Sequence, residues 1–230
     1  MQDAQRLVWD LPVRIIHWLL ALAVAGSWLT HALPGDWFTW HRRCGYTVLL
    51  LVATRLIWGL LGTRHARFVS FVRGPGTVWR YARSLFSAQT PSYVGHNPLG
   101  ALMVLAWLGL LLAQACTGLF ANDDVANTGP LYGYVSDSLS HRLTGWHHRI
   151  FNFISVAVAV HVCAALFYLI VKRDNLIFPM ITGRKSAAQV PLAAAIASSR
   201  SWLALLIAAL LASVLWYVVR QAPAPEMIGI

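Results

Sequence analysis

Five runs of apolar residues divide the 230-residue chain, at roughly 13–33, 44–62, 98–120, 147–171 and 201–219. A helix that crosses the hydrocarbon core of a bilayer needs about 17–25 such residues, so each run predicts one membrane-spanning helix. Pro34 and Gly35 break the first run from the second within "ALPGDWFTW", whose three aromatics suit the lipid headgroup level. The stretch from about 63 to 97 is long and basic, and its "VWRYARSLF" sets Arg80 and Arg83 among aromatic and aliphatic residues, as an interfacial helix would. Between the third and fourth runs, "ANDDVANTGPLYGYVSDSLSHRLTG" carries Asp123, Asp124 and Asp137, the one acidic surface expected. After the fourth run, "VKRDNLIFPMITGRK" and a polar linker lead into "WLALLIAALLASVLWYVV", which has no ionisable residue and reads as an anchor or packing element.

Composition agrees with this pattern. Hydrophobic residues make up 58% of the chain and charged residues only 11%, against about a quarter charged in soluble domains, which predicts an integral membrane protein. "ALAVAG" has the small residues of a signal-peptide cleavage site, but the first run is too long for that role and carries His17, Trp18 and Trp28. The formal net charge of +10 would suggest nucleic acid in a soluble protein. Its distribution argues otherwise. With a cytoplasmic N-terminus, twelve of the 18 lysines and arginines fall in inside segments, among them Arg64, Arg67, Arg73, Arg80, Arg83 and Lys172. Five fall outside (Arg42, Arg43, Arg142, Arg149 and Arg220), and Arg55 lies within the second helix. This is the positive-inside rule: the charge orients the chain, with its C-terminus on the far side, and calls for no nucleic acid. Cys44, Cys116 and Cys163 form no CxxC or CxxCH, so no zinc site, iron–sulfur cluster or covalently attached haem is indicated.

Ionisable side chains inside membrane helices are costly and usually functional, and the chain has nine histidines. His147 and His161 are 14 residues apart, about 21 Å along a helix and within about 40° of the same face. His148 misses that face by about 140°. Two histidines so placed suit two haems at different depths, each needing a second ligand from another helix. With the N-terminus inside, His17 lies at the depth of His161 and His41 at that of His147. His31, also 14 residues from His17, is an equal candidate to face His147 on geometry alone. Arg55 falls at the depth of the inner haem, where a propionate is its natural partner and a snorkelling arginine the alternative.

"RIIHW", "HRRCGYTVLLLVATRLIW", "GHNPLGALM" and "WH" followed 14 residues later by "H" together resemble the bacterial cytochrome b561 and nickel–iron hydrogenase cytochrome b family, over about residues 8–185. The resemblance implies an all-α integral membrane protein of the bacterial inner membrane, a four-helix transmembrane bundle holding two non-covalent b-type haems. On that reading residues 1–185 form the di-haem cytochrome b domain, and 186–230 a linker and an additional C-terminal transmembrane helix. It also implies that His17 and His161 bind the inner haem iron and His41 and His147 the outer one, which selects His41 over His31. His31, His65, His96, His141 and His148 then read as ordinary polar residues, although His96 and Arg73 are suggestive of quinone contact.

Bis-histidine iron has no open coordination position, so its work is one-electron transfer. The leading expectation is a carrier of electrons across the inner membrane, between the quinone pool and a periplasmic redox partner such as a c-type cytochrome docked on Asp123 and Asp124. The alternatives are the membrane-anchor cytochrome b subunit of a hydrogenase-like oxidoreductase complex and a stand-alone superoxide or quinone oxidoreductase. A transporter whose histidines move protons is the non-redox rival.

Overall fold

A computed structural model describes residues 4–33, 37–87, 90–125 and 127–223. It contains α1 (Leu11–Ala32), α2 (Phe38–Leu61), α3 (Phe68–Phe71), α4 (Pro75–Ser84), α5 (Pro98–Gly118), α6 (Asp137–Ile170), α7 (Ile177–Thr182) and α8 (Ser201–Arg220). Of these, α1, α2, α5, α6 and α8 are long and apolar enough to cross a membrane. The five helices expected from the apolar runs are therefore present, in an all-α membrane protein.

Two helices begin well before their apolar runs. Helix α2 takes in Arg42 and Arg43, whose guanidiniums lie over the Phe38 and Trp40 rings at 5.5 and 4.6 Å; these cation–π contacts hold the polar first turns. Helix α6 starts at Asp137, in the segment expected to be an outside loop, with this acidic residue in its first turn where the helix dipole favours it. The expected amphipathic helix forms as α4, with Tyr81 buried and Arg80 and Arg83 exposed.

Helix α1 starts where the Val13 amide donates to Asp10 Oδ1 at 2.7 Å, an N-cap contact, and Pro12 sits in the first turn where it removes no helical hydrogen bond. Just before it, β1 (Gln5–Leu7) pairs antiparallel with β2 (Arg184–Ser186), matching Gln5 with Ser186 and Leu7 with Arg184. Gly183 makes this possible. In the left-handed conformation at φ 81° it ends α7 and offers its carbonyl to the amides of Val8 and Trp9.

The chain divides into two compact units, and each of the five long helices contributes a stretch to both. The first comprises Met1–His17, Arg55–Trp107 and Val158–Leu205. Its core gathers Val8, Trp9, Trp58, Phe71, Tyr81, Ala101 and Val190 around the buried polar residues Asp10, Arg55 and Thr63. Here residues of the expected linker pack in: Arg6 Nη1 donates to the Val190 carbonyl and the Ile196 amide to that of Leu7. The second comprises Trp18–Thr54, Leu108–Ala157 and Leu206–Ile230, with Val48, Val52, Leu108, Leu111, Leu131 and Ile154 in its core. Ser140 is fully buried there and donates to the Phe120 carbonyl at 2.7 Å.

Candidate functional site

Each unit contains one of the two expected histidine pairs. In the first, His17 of α1 and His161 of α6 have ring centroids 6.1 Å apart, tilted by 50°, and Trp107 of α5 meets His161 edge-on at 6.4 Å. In the second, His41 of α2 and His147 of α6 have centroids 6.3 Å apart. A transition metal binds an imidazole nitrogen at about 2.0–2.1 Å, so two rings on opposite sides of one iron have centroids a little over about 6 Å apart. Both separations fit an axially bound haem.

Separation alone does not single out His41, because His31 lies 6.2 Å from His41 and 6.4 Å from His148. The hydrogen bonds do distinguish them. His41 Nδ1 lies 3.0 Å from the Ser27 carbonyl oxygen and His147 Nδ1 lies 2.9 Å from that of Gln114. A carbonyl only accepts, so each Nδ1 carries the proton and each Nε2 keeps its lone pair. That is how metal-ligating histidines are commonly oriented. His147 Nε2 lies 3.0 Å from the Gln114 amide nitrogen, and Gln114 Oε1 is buried with no partner among the described residues. His41 and His147 are half-buried, whereas His31 and His148 are exposed.

Glycine makes room for His147. A Cβ on Gly118 would lie 2.8 Å from His147 Cε1, closer than side-chain atoms approach. Gln114 and Gly118 are four residues apart on α5 and so share a face; one fixes the imidazole and the other clears space for it.

In the first unit, Arg55 is 5% exposed, and neither of its Nη nitrogens has a hydrogen-bond partner among the described residues. Its guanidinium lies 5.4 Å from the Phe68 ring centroid. Gly59, one turn further along α2, lets Phe68 lie there: a Cβ at that position would sit 2.0 Å from the ring. The nearby carboxylate of Asp10 is already committed, Oδ1 to the Val13 amide and Oδ2 to Trp58 Nε1 at 3.1 Å and to the Thr63 hydroxyl. An unpaired buried cation is expensive, so the chemistry of this spot calls for a further anion, and a haem propionate fits it. Arg55 is not snorkelling, since its head group is buried.

Several features of this region carry no sequence pattern that singled them out. Asp10 is one, although an aspartate directly before an apolar helix is a legible N-cap signal. Gln114 has no such signal. His96, which the sequence did mark within "GHNPLGALM", has its ring between Trp9 and Phe71, each with its centroid at 4.6 Å, and its Nδ1 is buried without a partner among the described residues. Burial first, and then the Arg55 charge, pushes the His96 imidazole down to about 3, so it is neutral at physiological pH. His65 is lowered as well, by burial foremost, and its Nε2 lies 2.8 Å from the Ala194 carbonyl oxygen.

Comparison with known proteins agrees with this architecture. The family model described as prokaryotic cytochrome b561 matches residues 8–183. A protein of Azotobacter vinelandii named "Probable Ni/Fe-hydrogenase B-type cytochrome subunit" is 27% identical over 209 residues, covering 76% of this chain and 86% of the relative. One of the same name from Rhizobium leguminosarum bv. viciae is 28% identical, covering 77% and 87%. The "Probable Ni/Fe-hydrogenase 1 B-type cytochrome subunit" of Escherichia coli (strain K12) is 26% identical over 215 residues, covering 78% and 90%. With five apolar helices, b-type cytochrome relatives and a family match over most of its length, this chain belongs to the prokaryotic cytochrome b561 family.

Proposed function

We propose that this chain binds two b-type haems, one through His17 and His161 and the other through His41 and His147, and passes electrons one at a time between the quinone pool and a redox partner on the periplasmic side of a bacterial inner membrane. The carrying observation is the pair of imidazole couples at 6.1 and 6.3 Å, one in each compact unit. Iron held by two histidines would supply one-electron transfer. The protein's own residues do the rest. The Ser27 and Gln114 carbonyls hold two ligands in the metal-binding tautomer, and Arg55 offers a buried positive charge to a propionate. The di-haem domain spans 1–185, and 186–230 supplies a linker and the additional helix.

Two partner readings follow, and a specific observation favours the second. Docking of a c-type cytochrome would use the acidic loop, yet its carboxylates are engaged locally. Asp123 accepts from the Val125 and Asn127 amides, Asp124 lies 3.3 Å from His141 Nδ1, and Asp137 accepts from the Tyr132 hydroxyl. The relatives, in contrast, carry the name of hydrogenase cytochrome subunits and are covered over 86–90% of their length. A membrane subunit of a hydrogenase-like oxidoreductase is therefore the better supported setting.

A pyridine haemochrome assay on the purified protein, repeated for His147→Ala and His148→Ala, tests the ligand assignment. Two b haems per chain are expected, with one lost in the His147 variant and none in the His148 variant. Equal loss in both, or a colourless wild-type protein, would sink it.

A further inference from the structure

We infer that a groove in the second unit, between the first half of α2 and the second half of α8, binds a phospholipid with a net negative headgroup, one acyl chain along the groove and the phosphate at Arg220. The groove has a volume of about 510 Å³ and is walled by Tyr46, Thr47 and Leu50 on α2 and by Ala212, Trp216 and Arg220 on α8. Residues three or four apart share a helix face, so each wall is one face of its helix. A cavity of about 150 Å³ accepts benzene, and this groove, several times larger, has room for much of an acyl chain. Ala212, two turns inward from Arg220, contributes only a methyl group, which leaves width for that chain. Both helices are long and apolar enough to cross a membrane, and groove walls that met nothing there would forfeit their dispersion contacts. Helix α8 lies beyond residues 8–183 that the family model matches, so the groove is not a feature of the matched region.

The charges select the headgroup. Arg220 is exposed, with its guanidinium over the Trp216 ring at 5.0 Å. Arg43, one turn before Thr47 on the same face of α2, is exposed as well and lies over the Trp40 ring at 4.6 Å. Among the described residues neither arginine is paired with a carboxylate. The Tyr46 hydroxyl is a further donor for a phosphate oxygen, and Tyr46 and Trp216 suit the headgroup level. The end of α8 is fixed, because the Tyr134 hydroxyl donates to the Gln221 carbonyl at 3.1 Å. On the topology that the charges predict, Arg42, Arg43 and Arg220 are three of only five cations on the outside, and a lipid phosphate neutralises charge that the positive-inside rule disfavours there. An isologous contact with a second copy of the chain would instead set like arginines against one another.

The test is photocrosslinking of the purified full-length protein, in phosphatidylcholine nanodiscs, with a phosphatidylglycerol analogue that carries a diazirine on one acyl chain, the labelled peptides being mapped by mass spectrometry. Label is expected on the segments containing residues 43–50 and 212–220, and unmodified phosphatidylglycerol should displace it. The same diazirine on a phosphatidylcholine analogue should label these segments about fivefold less, the scale of one arginine meeting an anionic headgroup. Arg220→Gln should lower the phosphatidylglycerol label by a similar factor. Ala212→Phe, which narrows the groove without changing its charge, should lower the label from both analogues. Arg220 is exposed in the last turn of its helix, so that variant decides the matter if Ala212→Phe misfolds. Equal label from the two analogues, or unchanged label in Arg220→Gln, would overturn the proposal. So would displacement by inorganic phosphate, which would mark a simple anion site. Unlabelled segments would overturn it too, and a dimer in the same nanodiscs would then give the groove to a second copy.

Discussion

At the scale of single residues, Arg55 is the most informative side chain outside the histidines. A positive charge beside a haem favours the reduced, more negative state, and burial strengthens that effect because little water screens it. Arg55→Gln should therefore lower the midpoint potential of the haem proposed at His17 and His161 by about 60 mV, the one-electron equivalent of a tenfold change. Arg55→Lys should restore part of it, and the other haem should change little. Spectroelectrochemical titration measures this directly, and an unshifted potential in Arg55→Gln would place the guanidinium away from the haem. The position of Arg55 was readable from its spacing to His41 in the sequence. Its isolation was not, because that depends on Asp10 being saturated by Val13, Trp58 and Thr63, contacts that span 53 residues and leave no periodic trace. The same holds for His41 and His31: helical spacing ranks them equally, and what separates them is a carbonyl on Ser27, a residue with no pattern of its own.

At the scale of the element, hydropathy located each long helix but not its ends. It reports which part of a helix is apolar, so it found α5 and α8 nearly to the residue, and missed the polar first turns of α2 and α6, which hydrogen-bond as helix while carrying Arg42, Asp137 and His141. The β1–β2 pairing has no legible pattern in the sequence, because three-residue strands have too little alternation to read. Within α5, function hangs on one missing side chain. Gly118→Val would drive branched carbons into the His147 ring, whose Cε1 a Cβ already approaches to 2.8 Å, and the imidazole has no slack while Gln114 holds Nδ1. The expected outcome is a fall from two haems per chain to one. Gly109, on the same helix, has nothing within 4 Å of an added Cβ, so Gly109→Ala should retain both. Equal haem content in the two variants would show that His147 does not depend on this packing.

At the scale of the whole molecule, charge decides which side of the membrane each partner meets. Long apolar helices insert with their lysine- and arginine-rich connections retained in the cytoplasm. The connection between α2 and α5 holds Arg64, Arg67, Arg73, Arg80 and Arg83, and that between α6 and α8 holds Lys172, Arg173, Arg184, Lys185 and Arg200. The connection between α5 and α6 holds no lysine or arginine, and the polar start of α6 brings only Arg142 and Arg149. Helix α4 fits the same assignment: its Tyr81 is buried while Arg80 and Arg83 are exposed, where they can meet anionic headgroups. Alkaline phosphatase, which folds only in the oxidising periplasm, should therefore be active when fused after Ala121 or Arg220 and inactive when fused after Arg83. That pattern would put the haem site proposed at His41 and His147 on the periplasmic side, where the redox partner would meet it. The opposite pattern would invert the assignment, and the partner oxidoreductase would have to be sought in the cytosol.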